Sequence, residues 1–89
     1  MTIRTRFRMA LAIKSDPDLG DQPDGERYTA LQFAREHDVS ETVLHEVLAG
    51  KTTSARLERE IDGFIREQLD TFFRHLEEEP PPTGPPVAA

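Results

Sequence analysis

"DVSETVLHEVLAG", residues 38–50, decides how this chain is read. Asp38 stands where the chain must turn sharply, and aspartate tolerates the left-handed backbone better than most side chains. Ser40 follows as an N-cap, because its hydroxyl can accept from the free amides of a first helical turn. Leu44, Val47 and Leu48 then recur at helical spacing and make one apolar face. Gly50 supplies the stop, since a helix commonly ends on a left-handed glycine. The stretch therefore predicts a tight turn followed by a helix over residues 41–49.

Upstream, "TALQFAREH" (29–37) predicts a second short helix. Thr29 can cap it and Gln32 can reach back, the reciprocal arrangement of a capping box. This helix is expected from Ala30 to His37, with Leu31, Phe33 and Ala34 turned inward. Before it, "SDPDLGDQPDGE" (15–26) holds two prolines, two glycines and four aspartates, a loop by its chemistry. The first segment, "MTIRTRFRMALAIK", alternates apolar Ile3, Phe7, Met9, Leu11 and Ile13 with Arg4, Arg6, Arg8 and Lys14, and strict alternation is a strand pattern. Read as a helix it gathers Ile3, Phe7, Ala10 and Leu11 on one face and leaves Met9 on the other. Its arginine, methionine, alanine and leucine content favours the helix, and no later segment offers a strand partner. A helix with Phe7 and Leu11 in the core is expected.

Downstream, "KTT" (51–53) is a connector. From Ser54 the chain reads as one long helix that Pro80 must end. Leu57, Ile61, Phe64, Ile65, Leu69, Phe72, Phe73 and Leu76 form its apolar stripe. Gly63 weakens its middle. The end, "PPPTGPPVAA", reads as a disordered or extended Pro-rich tail over 80–89.

The fold class that follows is all-α: a small domain over residues 1–79 with a long C-terminal helix, then the tail. At 89 residues there is room for one core of about a dozen side chains. No cysteine is present, which removes disulfides and thiolate metal sites and suits a reducing, cytoplasmic setting. No apolar run approaches the roughly 20 residues that span a bilayer, and the basic start lacks the apolar stretch of a signal peptide. The net charge of −6 is unevenly spread: residues 1–14 carry +4, residues 15–50 carry −7, residues 51–66 carry +1 and the remainder −4. Such a balance argues against loose nucleic-acid binding but leaves a local basic stripe available from the two positive segments.

The middle of the chain has the geometry of a helix-turn-helix. Ala34 is the small residue that lets a second helix cross closely, Asp38 turns four residues later, and Val39 closes the turn as a buried apolar residue. On these residues, "LQFAREHDVSETVLHEVLAGKTTSARL" resembles the phage-repressor/Cro-like helix-turn-helix family, over roughly residues 29–61. The resemblance implies a compact helical domain, usually dimeric, whose second motif helix enters the major groove of double-stranded DNA. It departs from the pattern at the turn, where Asp38 replaces the usual glycine. It departs again on the reading helix, which exposes Glu41, Thr42, Val43, His45, Glu46 and Ala49 rather than the more usual Arg, Ser, Gln or Asn.

An acidic reading helix is chemically workable. Glu46 can accept from cytosine N4, Thr42 and Val43 can meet a thymine methyl, and His45 can donate to a phosphate or to guanine. Phosphates would be met by Ser40, Lys51, Thr52, Thr53, Arg56 and Arg35. The expected function is a sequence-specific DNA-binding regulator of the small repressor type. The alternative is a protein-interaction module whose acidic face, with Glu41 and Glu46, binds a basic protein partner. A homodimer is expected through Leu69, Phe72, Phe73 and Leu76, which exceed what one domain needs to bury.

Enzyme chemistry is not expected, nor a metal or cofactor. His37, His45 and His75 are far apart in sequence, and "HEVLA" lacks the second histidine of a zinc-protease helix. Glu58 and Asp62 lie four apart on one helix face, but Arg59 and Arg66 beside them point to a surface ion network.

Overall fold

The computed structural model describes residues 1–20, 22 and 26–78, so part of the acidic loop and the Pro-rich tail over 80–89 lie outside the described residues. The helices are α1 (Ile3–Ser15), α2 (Ala30–Glu36), α3 (Glu41–Leu48) and α4 (Ala55–Glu78). The all-α expectation holds, including the first segment, and Met9 falls on its outer side at 43% exposure.

Each helix starts where a hydroxyl can meet its free amides. Thr2 accepts from the Thr5 N–H, Thr29 from the Gln32 N–H and Ser40 from the Val43 N–H. At α4, Ser54 Oγ accepts from the Leu57 N–H while the Glu58 carboxylate accepts from the Ser54 N–H, so donor and acceptor lock each other. After α1 the chain folds straight back. Asp16 Oδ1 accepts from the amides of Asp18 and Leu19, and the Gly20 N–H donates to Asp16 O at 2.8 Å. A Cβ on Gly20 would sit 1.8 Å from the Lys14 carbonyl, so only glycine permits this close return.

The core is centred on three phenylalanines, one each from α1, α2 and α4. Phe7 meets Phe33 edge-on at 5.1 Å between centroids, and Phe64 lies 5.6 Å from Phe7 and 5.1 Å from Phe33. Edge-to-face and tilted pairs of this kind add about 0.5–1.5 kcal/mol each beyond their area burial. Tyr28, just before α2, closes the cluster at 5.6 Å from Phe64. Its hydroxyl donates to Glu36 at 2.6 Å, and its N–H donates to Ser15 Oγ at 2.8 Å, which ties the start of α2 to the end of α1. Leu44, Val47 and Leu48 of α3 join Leu57 and Ile61 of α4 in the same core.

Three expectations are corrected. Leu31 is 40% exposed, because Phe33 and Ala34 set the inward face of α2 and a residue two positions before Phe33 points about 200° away from it. Leu11 and Val39 are half-buried at the margin of the core, with Ala10 taking the central place in α1. Both short helices end one residue early, His37 capping α2 and Ala49 capping α3.

The two halves of α4 differ. Leu57, Ile61, Phe64, Ile65 and Gln68 are buried, Leu69 packs on the margin of the core, and beyond it Phe73 and Leu76 stand 57% and 55% exposed. Phe72 is half-buried, with its ring 5.7 Å from that of Phe73. Among the described residues, no helix is long and apolar enough to cross a membrane.

Candidate nucleic-acid interface

The turn between α2 and α3 is built from backbone. The Asp38 amide donates to Arg35 O and the Val39 amide to Ala34 O at 2.9 Å. Asp38 takes a φ of 57°, the left-handed conformation its side chain tolerates. Ala34, 1% exposed, is the small residue beneath this junction.

At its other end, α3 finishes in a Schellman motif. The Gly50 N–H donates to Val47 O at 3.1 Å and the Lys51 N–H to Glu46 O at 2.9 Å, with Gly50 at a φ of 78°. Both ends of α3 are therefore fixed, and Lys51 is held immediately beyond its last turn. Leu44, Val47 and Leu48 face the core, and Glu41, Thr42, Val43, His45 and Ala49 are exposed, with Glu46 half-buried. Glu41 and His45 meet each other across one turn at 3.4 Å.

A shallow groove of about 390 Å³ runs along this face, lined by Thr42, His45, Glu46, Ala49, Lys51 and Arg4. Four of the residues expected to meet DNA are thus gathered, together with Arg4 of α1, from the first of the two positive segments. Val43 is exposed at 37% but does not line the groove. Thr52 and Thr53 line a separate depression with Ile3, Val47 and Leu48. Ser40 is engaged as the cap of α3, and Arg35 is exposed on α2 outside the groove.

Arg56 is turned elsewhere. Its Nε donates to Glu60 Oε2 at 2.8 Å and its Nη2 donates to the His37 carbonyl. His37 Nδ1 meets the other oxygen of Glu60 at 2.5 Å, and its ring stacks on Phe33 at 4.0 Å. The hydrogen bond from Arg56, and secondarily that from His37, hold the Glu60 carboxyl below its ordinary range. The Arg56–Glu60 half of this network is an i, i+4 pair that helical spacing offers, but its junction with His37 is not, because His37 comes from the end of another helix.

Arg56, Arg66 and Arg74 of α4 each pair with an acid four residues away, Glu60, Asp62 and Asp70. Arg4 and Lys51 have no such acid partner among the described residues. Compared with protein-family models, curated proteins and solved structures, the chain matches none.

Proposed function

We propose that this chain is a cytoplasmic, sequence-specific DNA-binding regulator of the small repressor type, with α3 as the helix that enters the major groove. The observation that carries the reading is α3 itself: a short helix locked at both ends, crossing α2 over a buried alanine, with an exposed face that ends at a lysine without an acid partner among the described residues. Thr42, Val43, His45 and Glu46 are the base-reading side chains, all short enough for the helix axis to lie close to the base edges. Lys51, Thr52 and Thr53 meet backbone phosphates. Glu41 sits at the positive end of the α3 dipole and against His45, which offsets its charge toward the polymer. The distal stripe of α4 pairs two copies, as the presentation of two reading helices to one duplex requires.

The test is a mobility shift on random-sequence duplex at low salt, followed by Lys51→Ala and Glu46→Gln. Lys51→Ala weakens all sequences alike, whereas Glu46→Gln changes which sequence is preferred, by about 1–3 kcal/mol at one base pair. A second reading, a module whose acidic face binds a basic protein, is favoured by the position of Glu41 and Glu46 on that same face. It gains if duplex DNA is not shifted at any salt concentration.

A further inference from the structure

We infer that Arg4 and Lys51 form a clamp on two neighbouring backbone phosphates of the duplex, one each, so that α1 is a DNA-contacting element as well as a core helix. This rests on the reading of α3 as the DNA-facing helix.

The argument begins with how α1 is docked. Phe7 and Ala10 are buried at 1% and 0%, which fixes the rotation of α1 about its own axis. Arg4, one turn before Phe7 and exposed, is thereby carried to the far end of α3, where it shares one groove with Lys51, His45 and Thr42. Lys51 is placed there independently, by the Schellman motif that ends α3. Two cations from segments 47 residues apart in sequence thus converge on one depression.

Neither is neutralised by a carboxylate of the described residues. Arg56, Arg66 and Arg74 of α4 find carboxylates one turn away, and nothing equivalent reaches Arg4 or Lys51 among the described residues. Glu46 lines the same groove but lies beyond ion-pair distance of both. In a chain of net charge −6, two cations with no acid partner among the described residues, gathered in one groove, make a place where a phosphate is attracted. A guanidinium reaches phosphate oxygens as a planar fork and an ammonium as a point charge, so the two can each hold one of two neighbouring phosphates along the groove. Glu46 remains free to face a base edge.

The experiment measures the salt dependence of duplex binding for the full chain, Arg4→Ala, Arg4→Lys and Arg6→Ala, with folding checked by circular dichroism. Arg6 is exposed, outside the groove, and about 200° around α1 from Arg4. Its loss changes the net charge equally without touching the clamp. Arg4→Ala is expected to lower the slope of log K against log salt by roughly 0.9, one phosphate, so its loss of affinity between 50 and 200 mM salt shrinks by roughly 3- to 4-fold relative to the unaltered chain. Arg4→Lys and Arg6→Ala keep the original slope. If Arg4→Ala and Arg6→Ala behave alike while the unaltered chain binds duplex, the clamp is refuted and the DNA reading stands. If the unaltered chain binds no duplex even at low salt, both fall together.

Discussion

Arg56, on the first turn of α4, donates to the main-chain carbonyl of His37, the residue that ends α2. The arginine thereby ties the entrance of the turn to the long helix, and Glu60 holds both partners in place at 2.8 and 2.5 Å. A residue expected to meet phosphate is engaged in fixing the angle at which the motif leaves the body of the domain. Arg56→Ala is expected to lower the melting temperature and to leave the salt slope of DNA binding unchanged. A reduced slope with an unchanged melting temperature would return Arg56 to the DNA face.

The same network sets an acid limit. Glu60 ionises below its ordinary range in the folded chain, chiefly through the Arg56 hydrogen bond and then through His37. Its contribution to stability is fully present above the ordinary glutamate range and is lost as pH falls through the lowered folded value. Glu60→Gln should therefore lower the melting temperature at neutral pH and reduce its further fall on the way down to about pH 3. Melting curves at several pH values check this; parallel acid profiles for the two proteins would show that the network contributes nothing.

Two left-handed residues flank α3, and they should respond in opposite ways. Gly50 has a φ of 78° and open space around an added Cβ, so Gly50→Ala carries only the conformational cost, about 1–2 kcal/mol. Asp38 already bears a side chain at a φ of 57°, so Asp38→Gly should be neutral or stabilising, within about 1 kcal/mol. Chemical denaturation of both variants decides it. Equal destabilisation by the two changes would mean that backbone conformation is not what these positions require.

Phe73 and Leu76 stand more than half exposed at the end of α4, next to the half-buried Phe72 and Leu69. An apolar stripe of this size is rarely left in water, and burying each such side chain contributes on the order of 1.5–3 kcal/mol. Light scattering is expected to give about twice the 10.1 kDa chain mass for the full protein and a single-chain mass after truncation at Gln68. A monomer in both cases would remove the dimer from this account.

Much of the fold was legible because it is local. Thr29, Ser40 and Ser54 announce helix starts, Gly50 announces a stop, and the spacing of Leu44, Val47 and Leu48 names a buried face without reference to anything distant. What stayed hidden depends on docking. Tyr28 looks like loop and Gln68 like surface, yet both are buried at 4% and 6%, because neighbours from other helices close over them. Leu31 looks like core and is not, since a seven-residue helix can turn only one narrow face inward. For the candidate site, the α3 face could be read from the motif. The choice among cations could not: the contacts of Arg56 and Glu60 with His37 and the arrival of Arg4 in one groove with Lys51 are set by how α1 and α2 lie against α4.

The central claim is that the exposed face of α3 reads base sequence despite Glu41 and Glu46. Selection of duplexes from a random pool at low salt, carried out in parallel with the unaltered chain, Glu46→Gln and the double variant Glu41→Lys/Glu46→Lys, tests it most directly. The account predicts that the unaltered chain enriches a defined sequence and that Glu46→Gln shifts the preference at one position, with a cost of about 1–3 kcal/mol for the original base pair in competition. The contradicting result is no enrichment by the unaltered chain and new binding by the double lysine variant, which would make the acidic face a barrier to DNA and a site for a basic protein.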